Sequence, residues 1–364
     1  MTKNPDIIKL GFVIPGSLEA PTGGTRYDRE VLKRLPAFGI HAEPLLLSGN
    51  YPRPSAEDRV KSAQIMAGSD CDVLLIDGLA FGVFTEVEFQ ALTKPYSVLL
   101  HHPLADETGL DRAEAQSFYE QEKANLRHAG AVIVTSASTK ERLNKIYDVK
   151  NDIITFAEPA VATKNSLQVK SPLSADRTAR MLSVGAISPR KNYGLVLKAL
   201  SFLTSHQPWI WQIAGRLDDE HESTALKNLS LELGLSNRVE WLGSVSETFL
   251  AGLYQNSDFL LFPSCYEGYG MALDEALSFG VPVLASDQIP SANKAYGAAV
   301  KRLDPQKPED WKFAIEMWLN GKDEYLKACK SAVKVMNSLP DWDQPTGLIA
   351  ESIRHSLKTG KGIL

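Results

Sequence analysis

Between Phe259 and Ser286 the chain reads as a buried strand, a tight loop, a short helix and a second buried strand. Phe259 to Phe262 is an apolar run too short for a helix, and Val281 to Ala285 is its counterpart on the far side. Glu267, Gly268, Tyr269 and Gly270 form the loop, and a helix is expected from Met271 to Phe279. Gly280 ends it, as a residue at ease in the left-handed conformation past a helix end. A helix that starts at the Gly270-Met271 step aims unpaired N–H groups at whatever lies in front of it, which favours a phosphate. Glu267 and Glu275, eight positions apart, suit something else, because a carboxylate accepts hydrogen bonds from vicinal hydroxyls. Phosphate donors beside hydroxyl acceptors describe a site for a sugar nucleotide. Acidic residues that merely offset a helix dipole would explain neither the glycines nor the spacing.

The rest of the chain repeats the alternation of strand and helix. Leu10 to Ile14, Val73 to Ile76, Val98 to His101 and Ala131 to Val134 are short apolar runs, and Tyr27, Val31, Leu32 and Leu35 lie on one face of a helix. Arg112 to His128 reads as a long polar helix. From Glu158 to Thr178 the pattern lapses into Pro, Ala, Ser and Lys, the composition of a linker. It restarts with Arg180 to Gly185, Trp209 to Ala214 and Val239 to Leu242. Continuous apolar strands between helices imply parallel sheets covered on both faces, so the expected class is α/β with two Rossmann-like domains. The expected division is 1–165, 166–345 and a closing segment 346–364. In the last, Leu348, Ile349, Ile353 and Leu357 form the apolar stripe of a helix that returns to the first domain.

Bulk properties narrow the function. A net charge of -5 argues against nucleic acid as a partner. Cys71, Cys265 and Cys329 are too scattered for a disulfide framework or a zinc site, which fits a reduced, cytoplasmic setting. Neither a signal peptide nor a membrane-spanning run is expected. Arg26, Arg29, Lys33 and Arg34 give the first helix a basic face, with Asp28 and Glu30 beside it. Such a face is usually solvated and is also compatible with peripheral contact at the cytoplasmic membrane surface.

With Glu267 and Glu275 in an E-x7-E pattern between a strand and a helix, the chain resembles the retaining glycosyltransferases of family 4. The resemblance implies the GT-B fold, two Rossmann-like parallel-sheet domains facing across a cleft. It also implies that Glu267 holds hydroxyls of the transferred sugar and that Glu275 holds the ribose. Ser188-Pro-Arg-Lys-Asn-Tyr-Gly194 follows a strand and leads into a helix, so Arg190 and Lys191 stand at a helix N-terminus, where positive charge is unfavourable unless an anion joins them. In the family this turn neutralises the departing diphosphate, and Lys191 falls on the family lysine. Members often carry Arg just after the strand glycine, where this chain has Ala186, and Arg190 is the residue placed to compensate.

Further donor contacts are expected at strand ends. Gly23 and Gly24 close the first strand-to-helix loop, Pro21 to Arg26, where the absence of Cβ atoms lets backbone approach a ligand. Gly215 with Arg216, and Gly243, follow two strands of the second domain. His101 and His102 end a strand in the first domain, the edge at which ligands sit in open parallel sheets. In the family a histidine here contacts the sugar; His101 is the better match by strand register, with His102 the alternative and Glu107 within reach. Two D-x-D triplets, Asp70 to Asp72 and Asp341 to Asp343, lie away from the ligand edges, so no metal is predicted. Trp342 looks like the family's late tryptophan.

The expected function is therefore metal-independent, retaining transfer of a hexose from a nucleoside-diphosphate sugar to a hydroxyl of a glycan or lipid, with that donor as co-substrate and no other cofactor. A nucleotide-sugar epimerase on the same fold and a non-catalytic sugar-nucleotide-binding subunit are the alternatives.

Overall fold

A computed structural model describes residues 7–20, 22–107, 109–161, 170, 173, 177–217 and 219–360. The chain divides into two compact units, Met1–Pro159 with Asp341–Leu364, and Ala160–Pro340. The expected boundary at 165/166, most of the expected linker, Pro21 and the last four residues lie outside the described residues.

Each unit is built on a parallel six-stranded sheet. The first contains β1 (Ile8–Pro15), β2 (Ile40–Leu47), β3 (Val73–Asp77), β4 (Tyr96–Leu100), β5 (Val132–Val134) and β6 (Ile154–Phe156). Their spatial order is β2-β1-β3-β4-β5-β6. The second contains β7 (Ala179–Val184), β8 (Trp209–Ala214), β9 (Val239–Gly243), β10 (Phe259–Phe262), β11 (Val283–Ser286) and β12 (Val300–Leu303), in the order β12-β11-β10-β7-β8-β9. The central strands β3, β4, β10 and β11 are buried at every residue, which is why they read as unbroken apolar runs. β11 starts at Val283, two residues later than expected: Pro282 has no N–H, and its carbonyl accepts the Leu260 N–H at 3.0 Å.

In both sheets the order of strands reverses beside the first strand. The chain leaves β1 for β2 on one side and reaches β3 on the other; it leaves β7 for β8 and β9, then crosses to β10. Helices on either side of such a reversal diverge and leave a crevice at the carboxyl ends of the two strands, where open α/β sheets bind ligands. The two positions to inspect are therefore the ends of β1 and β3 and the ends of β7 and β10.

The closing helix, Asp343–Thr359, belongs to the first unit and packs over β3, β4 and β6 and against the first helix, Gly23–Arg34. Its stripe differs from the expected one. Thr346, Ile349, Ala350, Ile353 and Ser356 are buried, whereas Leu348 is 41% exposed, because small side chains let the helix lie close to the sheet. Ser356 meets the buried Ser97 of β4 at 2.9 Å between hydroxyl oxygens. Just before the helix, Trp342 is buried edge-on against Tyr27, with ring centroids 5.2 Å apart. Truncating so large a buried ring leaves a cavity, so Trp342→Ala is expected to lose about 3–5 kcal/mol of stability. Trp342→Phe should recover part of it, as read from urea unfolding followed by circular dichroism.

Candidate active site

At the reversal of the second sheet, the turn after β7 and the loop after β10 meet through one carboxylate. Lys191 Nζ lies 2.5 Å from Glu267 Oε1, and Arg190 Nη1 lies 2.9 Å from Glu267 Oε2. The lysine and glutamate side chains are only 8% and 11% exposed. Burial works against the Glu267 carboxylate, but the charges of Lys191 and Arg190 outweigh it and hold the group ionised below the usual carboxylate range. Burial also pulls Lys191 below the ordinary lysine value, against the attraction of Glu267.

The backbone makes room for this triad. A Cβ on Gly185, at the end of β7, would lie 2.6 Å from Lys191 Cε, so glycine there lets the lysine lie over the strand end. Gly215, at the end of β8, is tighter still, since its Cβ would fall 1.9 Å from the Gly185 carbonyl oxygen. Gly215 N–H donates to the Gly243 carbonyl at 2.9 Å, and the Arg216 carbonyl accepts from Ile187 N–H at 2.8 Å. Gly215, Arg216 and Gly243 thus stand on the same edge as Lys191, with the Arg216 side chain exposed. Asn192, at φ 55°, ties the basic turn down by donating to the carbonyls of Pro305 at 2.8 Å and Pro263 at 3.3 Å.

Following Glu267, Gly268 is half-buried and Tyr269 and Gly270 are buried. Gly270 caps the Met271–Ser278 helix in the left-handed conformation, at φ 99°, and no side chain caps the helix end. Glu275 lies half-buried on this helix and accepts a hydrogen bond from Tyr254 at 2.9 Å. Next to it, Asp274 is buried and carries a network that sequence reasoning missed. It accepts from the hydroxyls of Tyr269 and Tyr296, the latter at 2.7 Å, and Lys294 stands 3.6 Å away. The network fastens the loop between the two glutamates to the body of the unit. Tyr254 and Asn192 were also missed; the only trace of any of these was an acid in a first helical turn and an Asn before a Tyr-Gly step.

The corresponding edge of the first sheet gathers a second cluster. His101, just after β4, has Nε2 3.3 Å from Asp28 Oδ1 and 3.7 Å from Asp77 Oδ2. The backbone of Gly24 lies against the same ring, and a Cβ there would sit 3.3 Å from His101 Cδ2. Gly23 and Gly24 are the first two residues of the helix, not loop residues, because Thr22 caps it by accepting from the Thr25 N–H at 3.2 Å. The structure also corrects the first helix's surface: Asp28 is buried against His101 and does not neighbour the basic face. On that face Arg34 pairs with Glu30 and stands 3.6 Å from Asp343. His102 turns elsewhere and pairs with Glu107 at 3.1 Å. Of the D-x-D acids, Asp70 is bound by Lys9 at 2.7 Å, and Asp72 accepts the Lys9 N–H at 2.8 Å. No helix among the described residues is long and apolar enough to cross a membrane.

Residues 165–336 match the family model described as glycosyl transferases group 1. The matched segment lies within the second unit. The chain is 26% identical to the O-antigen chain mannosyltransferase RfbU of Salmonella typhimurium over 199 residues, 53% of this chain and 52% of that protein. It is 23% identical to the D-inositol 3-phosphate glycosyltransferase of Corynebacterium glutamicum over 248 residues, 63% of this chain and 58% of that one. The chain spans about half the length of the curated relatives that it matches. Among solved structures, sucrose-phosphate synthase from Thermosynechococcus elongatus aligns with a TM-score of 0.79 at 17% identity, over 97% of this chain and 100% of that one. HepE of Anabaena in complex with UDP and glucose gives 0.75 at 16% identity, over 96% and 100%. These likenesses establish the GT-B fold.

Removing one member of a buried ion pair strands its partner's charge. Glu267→Gln is expected to cost about 3–5 kcal/mol, and adding Lys191→Met should restore most of it, measured by urea unfolding. Equal stability of wild type and Glu267→Gln would show that the triad is not coupled in the folded protein.

Proposed function

We propose that the chain is a metal-independent, retaining glycosyltransferase that moves a hexose from a nucleoside-diphosphate sugar to a hydroxyl of a glycan or lipid. The observation that carries this reading is the Glu267 carboxylate held between Lys191 and Arg190, beside an uncapped helix N-terminus. A diphosphate arriving there meets two cations and the N–H end of a helix that no side chain caps, groups that stabilise charge as the leaving group departs. The cations stand where a divalent ion would otherwise be needed, and Arg190, four positions after Ala186, provides the second one. Glu267, already fixed by both cations, orients the sugar hydroxyls and is not assigned as a nucleophile. Glu275, which accepts a hydrogen bond from Tyr254, holds the ribose in this reading. A donor phosphate oxygen takes the acceptor proton, so no protein nucleophile is required, and His101 contacts the sugar. Relatives that are mannosyltransferases, one of them acting on the O-antigen chain, favour a hexose and a glycan acceptor.

A panel of nucleoside-diphosphate sugars tests this by thermal shift, with and without EDTA. One donor should raise the melting temperature through linkage, insensitively to EDTA, and Glu275→Ala should lose the shift. Release of nucleoside diphosphate should fall about 10²–10³-fold in Lys191→Ala, as when a donor to a developing anion is removed. Full release in both Lys191→Ala and Glu267→Ala would overturn the site assignment.

A further inference from the structure

The Asp28, Asp77 and His101 cluster has no part in the reading above beyond the histidine itself. Three elements converge on one imidazole edge: the first helix brings Asp28, the end of β3 brings Asp77, and β4 delivers His101. Asp28 is 1% exposed and Asp77 6%, so neither carboxylate is a solvated surface acid. Asp77 is itself fixed, because its Oδ1 accepts the Leu79 N–H at 2.7 Å and leaves Oδ2 for the histidine. Tyr27 packs edge-on against the ring at 5.4 Å between centroids, and its hydroxyl donates to the Ala157 carbonyl at 2.8 Å. Thr135 Oγ1 donates to the His101 carbonyl at 3.2 Å, which anchors the backbone. With Gly24 against Cδ2 and Nε2, the ring is held along that edge, and its opposite edge carries Nδ1.

A neutral imidazole that donates from Nε2 has only an acceptor at Nδ1, whereas an imidazolium donates from both nitrogens. Two carboxylates at one nitrogen favour the imidazolium. We propose that Asp28 and Asp77 are positioning residues that clamp His101 as an imidazolium by its Nε2 edge, so that Nδ1–H is offered as a hydrogen-bond donor to a substrate oxygen. The inference rests on the reading that His101 contacts substrate.

The charges that face the ring agree with this. Burial opposes the imidazolium, but the charge and hydrogen bond of Asp28 and the charge of Asp77 outweigh it, and His101 lies above its ordinary value. Asp77 is pushed up to about 6, first by burial and then by Asp28, against His101, the Leu79 N–H and the neighbouring His102. Its proton is therefore lost as pH rises through about 6, and the newly ionised carboxylate strengthens the hold on the His101 proton.

Two isosteric variants, Asp28→Asn and Asp77→Asn, test the proposal, since each keeps its shape and Asp77→Asn keeps an acceptor for Leu79. The first readout is the ¹⁵N shift pair of the His101 ring against pH, which needs no activity. In the wild type both nitrogens should show the imidazolium pattern at pH 7.5. Each variant should move the transition to lower pH by about one pH unit or more. The second readout is the pH profile of donor turnover: its alkaline limb should move with the transition, lowering kcat at pH 8 by about tenfold for each pH unit, with KM little changed. A wild-type ring already neutral at pH 7.5, or a transition unmoved in both variants, overturns the clamp. An imidazolium confirmed by ¹⁵N shifts beside full turnover in His101→Ala overturns only delivery to substrate, and leaves the transferase reading to the Lys191 and Glu267 variants. A ring transition that EDTA alters would also overturn the clamp, by placing a cation between the three groups.

Discussion

A single carboxylate, Glu267, joins the two strand ends on either side of the reversal in the second sheet, and the local structure is arranged around keeping it charged. Lys191 approaches from the turn after β7 and Glu267 from the loop after β10. Taking both charges out of water costs about as much as their attraction returns, so such a pair is a poor stabiliser by itself. Its retention needs another reason. A third charge, Arg190, leaves the triad with an excess of one positive charge, beside a helix N-terminus that no side chain caps. The arrangement is incomplete without an anion, as expected of a site whose ligand carries the missing charge.

Holding that geometry depends on close backbone packing more than on side-chain contacts. Gly185 and Gly215 allow the ends of β7 and β8 and the Lys191 stem to occupy space that Cβ atoms would fill. Asn192, in a conformation non-glycine residues seldom adopt, turns the chain sharply enough to present Arg190 and Lys191 while bonding to the β10 side. On the opposite flank, Asp274 with Tyr269, Tyr296 and Lys294 pins the loop whose conformation sets the direction of Glu267. Both flanks restrict the loop before a ligand arrives, which reduces the ordering cost of binding.

The sequence discloses the parts of this architecture that obey a period and conceals those that do not. β3, β4, β10 and β11 stand out as apolar runs because both their faces are covered. β2, β6 and β12 give no such signal: each is an edge strand, β2 alternates around Pro44, β6 has three residues, and β12 reads Val-Lys-Arg-Leu. Among site residues, Glu267, Glu275, Lys191 and the glycines can be found because strand, loop and helix fix their spacing. Asp28 looks like one charge among several on a basic helix, since nothing local tells that its side chain turns inward to meet a residue 73 positions away. Asp77 and Tyr254 are hidden for the same reason: their partners come from other strands and helices, and only the folded chain brings them together.

The two clusters carry opposite excess charge. In the second unit two cations share one carboxylate; in the first, two carboxylates share one imidazolium. The transfer proposed here separates charge, leaving positive character on the sugar and negative on the diphosphate. In the second unit the cations are in place beforehand and need no rearrangement as negative charge grows on the leaving group. Above about pH 6, where Asp77 is ionised, the first cluster holds its negative excess; below it, Asp77 takes up a proton and the excess disappears while the cations of the second unit keep theirs. The charge of the first cluster thus responds to mildly acidic conditions, whereas Glu267 in the second unit, whose carboxylate is held below the usual range, keeps its charge.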